Sequence, residues 1–460
     1  MGFQLSHMGG KAMKRFLAGA GALAGLASVA AAAAEKPNII LIMTDQQAGM
    51  ALGCAGNPYA RTPAMDRLAE NGIRFRNAYC SFPLSGPSRA AMFTGLYPGE
   101  SGLDENGMEL PDSLAGRTLG ELLTAAGYDC GYVGKWHIGP VSLPGDSHGF
   151  RSIKGNGDDG LAEAAVGYLK ERHRKPFFMV ASFTNPHNIC EFARGQKTPM
   201  ADIGPRPPVE ECPNLPANFA VAPYDASVIA FERSQSYSLY PTQSYTNDDW
   251  RQYLNAYYRL LEHVDAEIGK IVDEIDRQNL WRNTLIIFTS DHGDGAAAHH
   301  WNQKTALYEE VANIPLIVCL PGKKHAGEVS EVLVNNGVDL MPTLCAVTGA
   351  SLPQGRSGVD LLAAFESGNL PEYVVTETNF KQTAGTFGWI VRTQKYKYVL
   401  YDKGRYREQL FDMESDRGET RNLAVESSSA DILEQHRKIL RSWLEDHPGP
   451  ERWRHLRFIP

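Results

Sequence analysis

Several features are scarce in this chain of 460 residues. It has seven cysteines, at 54, 80, 130, 190, 212, 319 and 345, and no two of them form a CxxC pair. That argues against a zinc ribbon. The odd count leaves at least one thiol unpaired. Cys190 and Cys212, which bracket a loop, are the candidate pair, and buried free thiols are the default. There is no basic tract of the length that nucleic acid binding uses, and 45 basic residues against 53 acidic ones give a formal charge of −8. An acidic protein that handles an anion must gather its few cations in one place. Internal repeats are absent, and so is low complexity beyond residue 34.

The one long apolar run lies at the start. Lys11, Lys14 and Arg15 precede a stretch of Ala, Gly, Leu and Val from Phe16 to Ala34, which ends in SVAAAAAE. A basic head, an apolar middle and small residues at the end have the form of a secretory signal over 1–34. Its removal takes away three positive charges and no negative one, which leaves −11. No cysteine follows the run, so no lipid anchor is expected. The expected location is secreted or periplasmic, without stable membrane insertion.

Four short apolar runs each end in a polar, reactive group. NIILIM (38–43) leads into Thr44-Asp45-Gln46-Gln47, and CGYVG (130–134) into Lys135-Trp136-His137. PFFMVASF (176–183) leads into Thr184-Asn185-Pro186-His187, and TLIIFTS (284–290) into Asp291-His292-Gly293-Asp294. Such runs suit buried parallel strands. Helical patterns at 63–71, 117–127, 159–173 and 249–278 lie between them. The alternation predicts an α/β fold with a large, doubly wound, mixed and mostly parallel sheet flanked by helices. Ligands of such sheets bind beyond the carboxyl ends of the strands, where these polar groups would collect. Residues 313–322 read as a further strand, and 190–248 as a functional excursion over the rim. After about residue 370 the texture changes to alternating strands and a closing helix at 427–445. This predicts a catalytic α/β domain at 35–369 and a smaller antiparallel sheet plus helix at 370–460.

One more stretch, SFPLSGPSR (81–89), runs from a turn-rich loop into the small apolar helix AAMFTG. Taken alone, it is a turn with Ser88 as a helix cap. With the other runs it forms a pattern. Ser85-Gly86-Pro87-Ser88-Arg89, four residues, then Thr94-Gly95 resembles the signature of the formylglycine-dependent sulfatases of the alkaline phosphatase superfamily. The match extends to NIILIMTDQQ before it and to GYVGKWHIG, TNPH, TSDHGD and WNQKTALYEE after it, in that family's order, and the region after 390 resembles its C-terminal sheet.

The resemblance implies that Ser85 is oxidised to Cα-formylglycine by a maturation enzyme of the serine-type, bacterial kind. It implies a divalent metal held by Asp45, Gln46, Ser85, Asp291 and His292. Oxygen donors suit Ca²⁺ or Mg²⁺. Gln46 and His292 stand where many members have Asp and Asn, and the nitrogen donor brings Mn²⁺ into range. Arg89 would hold the hydrated aldehyde, and Lys135, His137, His187 and Lys304 would cradle the sulfate. His137 would take the proton that triggers release. His187, together with Lys304, would protonate the departing alcohol. Lys135, His187, His299, His300 and Lys304 are the expected substrate contacts, the substrate being a sulfated saccharide of a glycosaminoglycan, mucin or algal glycan. Two other readings stand beside this one: a phosphonate monoester or phosphodiester hydrolase of the same superfamily, and a non-catalytic glycan-binding relative.

Overall fold

The computed structural model describes residues 36–236, 241–369, 371–381 and 385–449. The proposed signal at 1–34 lies outside the described residues. From Lys36 onward the chain forms one compact unit. Its centre is an eight-stranded sheet of β1 (Asn38–Asp45), β2 (Ile73–Tyr79), β3 (Asp129–Gly134), β4 (Arg151–Lys154), β5 (Phe177–Pro186), β6 (Thr284–Ser290), β7 (Leu316–Cys319) and β8 (Glu328–Asn335), in the order β4-β3-β5-β1-β6-β7-β2-β8. Seven strands point one way, and β7 alone runs antiparallel to both its neighbours.

Apolar residues fill both faces because helices cover both. In β1, Ile39, Leu41 and Met43 face a core shared with Ala90, Phe93 and Leu340. Ile40 and Ile42 face the other core, with Val264, Ile268 and Ile271. The two-residue period of a strand thus divides each run between the layers. Val264, Ile268 and Ile271 belong to the helix Asn247–Arg277, which starts at a capping box between Thr246 and Asp249. The helices Pro63–Glu70, Leu119–Ala125 and Leu161–Leu169 lie where the periodicity places them.

The helix Ser85–Thr94 is buried along its whole length, which explains its run of Gly, Ser and Ala. It packs on the helix Asn336–Thr348, and a Cβ on Gly337 would lie 2.1 Å from Ser81 Oγ and 3.0 Å from Ala91 Cβ. Only glycine allows that approach. The helix stops at Gly95, which takes a φ of 67° while its N–H reaches Ala91 O at 2.7 Å.

A second, antiparallel sheet runs in the order β12-β11-β10-β9 through β9 (Tyr373–Asn379), β10 (Phe387–Thr393), β11 (Tyr396–Tyr401) and β12 (Glu408–Asp412), with the helix Ala430–Asp446 packed on it. Its β9 borders the chain just before Ser85. Glu377 N donates to Ser81 O at 2.8 Å, Thr376 Oγ1 to Cys80 O at 2.7 Å, and Asn335 Nδ2 to Val375 O at 2.7 Å. None of the seven cysteines is joined in a disulfide, Cys190 and Cys212 included. Cys190 lies against Gln46, and the Cys212 thiol faces Pro208 O, so the candidate pair does not form.

Glu377 also accepts from Gly99 N at 2.8 Å, which fastens β9 to the turn after the Ser85 helix. Burial pushes its carboxyl up to about 8. In the unfolded chain a glutamate titrates near ~4.3. The folded state therefore binds the proton more tightly, and stability falls as pH rises from that value to about 8. Glu377→Gln keeps the acceptor for Gly99 and removes the titration. The melting temperature of the wild type should drop more between pH 5.5 and pH 8 than that of the variant. Equal drops would show that Glu377 is ionised throughout.

Candidate active site

The carboxyl ends of β1, β3, β5 and β6 meet at one rim. Asp45 closes β1, and Gln46 turns the chain away with a φ of 68°. That left-handed backbone is held from both sides: Gln46 N donates to Asp291 Oδ1 at 3.1 Å, and Tyr257 Oη donates to Gln46 O at 2.9 Å. Asp291 and His292 follow β6 directly. Asp45, Asp291 and His292 are fully buried, and one ligand atom of each lies within 4.8 Å of the others. His292 Nδ1 lies 2.9 Å from Gly293 O, an arrangement that puts the proton on Nδ1 and leaves the Nε2 lone pair facing the cluster. Ser85 Oγ sits 3.0 Å from that Nε2 and 3.3 Å from Asp45 Oδ1. Two carboxylates and one free imidazole nitrogen, buried around a hydroxyl, fit a divalent cation.

Arg89 stands one helical turn after Ser85 and is also fully buried. Its Nε donates to Asp291 Oδ2 at 2.8 Å and its Nη2 to Asp45 Oδ2 at 3.1 Å. Its Nη1 donates to Lys135 O at 2.8 Å and Ser182 Oγ at 2.7 Å. Lys135 Nζ reaches Asp45 Oδ2 at 2.7 Å. Burial opposes ionisation of Asp45, yet the surrounding cations, Lys135 foremost, hold its carboxyl well below the usual range. Burial lowers the ammonium of Lys135.

Two histidines stand beside this cluster as neutral rings. Burial, and then Lys135, brings His137 down to about 3, and its Nδ1 has no partner. The chain carries His137 close to the serine. A Cβ on Gly86 would meet Asn106 Oδ1 at 2.8 Å and His137 O at 3.2 Å, so the residue after Ser85 must be glycine. His187 is lowered well below its ordinary value by burial and by Lys304. Lys304 Nζ lies 2.9 Å from His187 Nε2 and 3.2 Å from Gln46 Oε1. In that pair the lysine donates and the imidazole accepts.

The structure gathers Asp45, Gln46, Ser85, Arg89, Lys135, His137, His187, Asp291, His292 and Lys304 at one rim. It does not bring His299 there. That ring is buried, stacks on Tyr308 at 4.3 Å, and faces Glu310 and Glu419. His300 is exposed and packs against Phe219, in a surface pocket with Trp250. The Gln46 side chain has its own clamp. Its Nε2 donates to Asp294 Oδ2 at 2.7 Å, and Tyr253 Oη donates to Asp294 Oδ1 at 2.9 Å. Because Nε2 must face that carboxylate, Oε1 faces Lys304. Asp158 accepts from Thr184 N, Asn185 N and Asn185 Nδ2 at 2.6–2.9 Å and so fixes the turn that presents His187. Neither aspartate has a signal in a single sequence beyond its place in a motif. Asp294 closes TSDHGD, whereas Asp158 lies in an unremarkable loop.

The sulfatase family model matches residues 37–350, and a model described as N-sulphoglucosamine sulphohydrolase, C-terminal, matches 297–446. A Delta 4,5-hexuronate-2-O-sulfatase of Bacteroides thetaiotaomicron is 31% identical over 443 residues, 91% of either chain. A solved structure described as a 2-O GAG sulfatase superposes with a TM-score of 0.77 at 30% identity, covering 90% of this chain and 93% of that one. The phosphonate monoester hydrolase of Agrobacterium radiobacter shares the fold, with a TM-score of 0.70 at 21% identity over 89% of this chain and 96% of its own. With the family match spanning most of the chain and the signature serine, arginine and acidic cluster assembled at one rim, the chain belongs to the sulfatase family of the alkaline phosphatase superfamily and is a sulfuric ester hydrolase.

Proposed function

We propose that the protein is a secreted carbohydrate sulfatase that works through a formylglycine made from Ser85 and a divalent metal held beside it. The observation that carries this reading is Ser85 Oγ within 3.3 Å of both Asp45 and His292, with Arg89 bridging Asp45 and Asp291 behind it. A plain serine would end as a stable serine sulfate. Maturation removes two hydrogens from the Ser85 side chain and passes two electrons to the maturation enzyme. Water then adds to the aldehyde and gives a carbon with two hydroxyls. One hydroxyl gives up its proton to solvent and its oxygen attacks sulfur, while the bond from sulfur to the alcohol oxygen breaks and the alcohol oxygen keeps the electron pair and takes a proton. The other loses its proton, the carbonyl reforms, and sulfate leaves with the electron pair of the C–O bond.

The metal, when bound by Asp45, Gln46, Asp291 and His292, would lower the pKa of the attacking hydroxyl and draw charge from the sulfate. Ca²⁺ is the first choice, with Mg²⁺ or Mn²⁺ next. Arg89 and Lys135 orient the reacting oxygens. His137, neutral and with a free Nδ1, accepts the proton of the second hydroxyl. Lys304 holds the proton in its pair with His187, so the two act together as donor to the departing alcohol. Residues 35–369 carry this chemistry, and 370–460 support the segment that leads into Ser85. A sulfated saccharide carrying a 2-O-sulfated hexuronate is the first substrate to test, because the relative of 31% identity is named for that activity. Secretion rests on the signal-like form of 1–34.

The presence of Gln46 and His292 in the metal set favours one second reading, a phosphonate monoester or phosphodiester hydrolase. Matched aryl sulfates and aryl phosphodiesters separate the two. The sulfate should show the much higher kcat/KM, and a phosphodiester preference would overturn the sulfatase reading of the substrate.

Coexpression with a serine-type maturation enzyme should lower the mass of the Ser85 peptide by about 2 Da, as two hydrogens leave. Ser85→Ala should abolish turnover and leave the melting temperature within a few degrees. A fully active preparation with intact serine would rule formylglycine out.

Asp291→Ala removes a ligand and also leaves Arg89 short of a partner. Bound metal and activity should disappear together, and a chelator should lower the melting temperature of the wild type. Active enzyme with no ion by elemental analysis would remove the metal from the mechanism.

His187→Ala and Lys304→Ala should each cost far more on a sugar sulfate than on an activated aryl sulfate, which leaves without a proton. A tenfold difference in the loss corresponds to about 1.4 kcal/mol at the transition state. Equal losses on both substrates would take the pair out of the donor role.

A further inference from the structure

A second group of buried ligands lies outside the catalytic cluster. His299, Glu310 and Glu419 bring one imidazole and two carboxylates together, with one ligand atom of each within 4.8 Å of the others. They are 1%, 6% and 1% exposed. His299 comes from the loop after β6, Glu310 from the short helix Glu309–Ala312, and Glu419 from the turn after β12.

Their hydrogen bonding is incomplete. Glu310 Oε1 accepts from Asn218 Nδ2 at 2.8 Å, but Glu310 Oε2 has no partner, and neither has His299 Nδ1. His299 Nε2 lies 3.4 Å from Asn218 Nδ2, and a buried carboxylate oxygen and a buried ring nitrogen without partners are costly. The charges are uneven as well. Lys397 Nζ lies 2.6 Å from Glu419 Oε1 and 3.4 Å from Glu309 Oε2, and Arg417 also faces Glu309 at 3.4 Å. Among the described residues no ion pair reaches Glu310.

We propose that His299, Glu310 and Glu419 bind a second divalent cation, zinc in first place, at a structural site separate from the catalytic metal cluster. One nitrogen and two carboxylate oxygens, buried and closely spaced, suit a borderline cation, and zinc is bound more tightly than manganese by such a set. Lys397 opposes a cation here, but it has a second carboxylate in Glu309 and can turn to it when the ion takes Glu419. Glu310 also lines a cavity of about 360 Å³ walled by Tyr59, Tyr257 and Tyr258. In the empty cluster burial favours the uncharged forms: it pushes Glu310 up and Glu419 up to about 7, and holds His299 down to about 3. A neutral imidazole is ready to ligate, and the ion would displace protons from the carboxyls. The site would tie the catalytic loop to the C-terminal segment, since Gly293 N already donates to Val311 O at 2.8 Å and Glu309 N to Glu419 Oε2 at 2.7 Å.

The test counts metal. Protein stripped with a chelator is loaded with Zn²⁺ alone, dialysed against metal-free buffer and measured by elemental mass spectrometry. The wild type should retain two equivalents, and Glu310→Gln, Glu419→Gln and Asp291→Asn one each. Glu310→Gln combined with Asp291→Asn should retain none. Zn²⁺ should raise the melting temperature of Asp291→Asn, and the rise should vanish when Glu310→Gln is added. Asp291→Asn protein that retains no zinc, or Glu310→Gln protein that retains as much as the wild type, would overturn the proposal and leave a water or a shared proton between Glu310 and His299. Should these variants fail to fold, anomalous scattering at the zinc edge from wild-type crystals decides it. A peak at this cluster supports the site, and its absence overturns it.

Discussion

The guanidinium of Arg89 is the constraint from which the rest of the site follows. It is fully buried and reaches carboxylates at the ends of two neighbouring strands, β1 and β6, while its third nitrogen holds β3 and β5 through Lys135 O and Ser182 Oγ. One planar group thus reads the register of four strands at once. Taking such charges out of water is expensive, and losing one partner of a buried pair costs about 3–5 kcal/mol. The cost is met by geometry: every donor of Arg89 that the four strands can reach has an acceptor within 3.1 Å. Asp45 therefore stays ionised, and Arg89 holds both Asp45 and Asp291 in place, as a cation site requires.

Around that centre the fold supplies a rigid back and a variable front. The sheet and the all-buried helix Ser85–Thr94 fix the acidic cluster and the nucleophile. The antiparallel sheet grips the chain before Ser85 through β9, by a main-chain bond to Ser81 O and a Thr376 hydroxyl bond to Cys80 O, and the buried helix holds the chain after it. Arg89, Lys135 and Lys304 then gather around this cluster, in a protein whose overall charge is negative. An anion meets a local field opposite in sign to that of the whole molecule.

Much of this was legible in the sequence, and the reasons for the exceptions are physical. Strands β1, β3, β5 and β6 announce themselves because burial on both faces leaves unbroken apolar runs with a polar residue at the end. β2 does not, because Arg74 and Arg76 alternate with Ile73 and Phe75 and break the run. β8 begins with exposed residues, and β4 has only four. The run 313–322 does hold a strand, β7, but periodicity carries no direction, and β7 runs against its neighbours. The residues that the structure brings together at the rim are ones that stand in motifs. The clamps behind them, Asp294 on Gln46 and Asp158 on the turn before His187, depend on contacts between distant segments that spacing does not encode. His299 sits two residues from a motif and five from Lys304, yet a left-handed backbone at φ 52° turns it into the core.

The reversed direction of β7 has a consequence for how such a site can change. Because β6 ends at the rim and β7 begins there, the chain from Asp291 to Ile314 leaves and re-enters the sheet at the same edge, as the arms of a hairpin do. A parallel return would have had to carry the chain back across the whole sheet before the next strand could begin. Here no such crossover is required. Residues can be inserted into or deleted from this segment without shifting the pairing of β6 with β7, and loop-closure entropy penalises added length only weakly. The stretch that holds His292, Asp294 and Lys304 is thus anchored at one end of the sheet by two paired strands, so a change in its outer loop leaves the register of the buried frame in place.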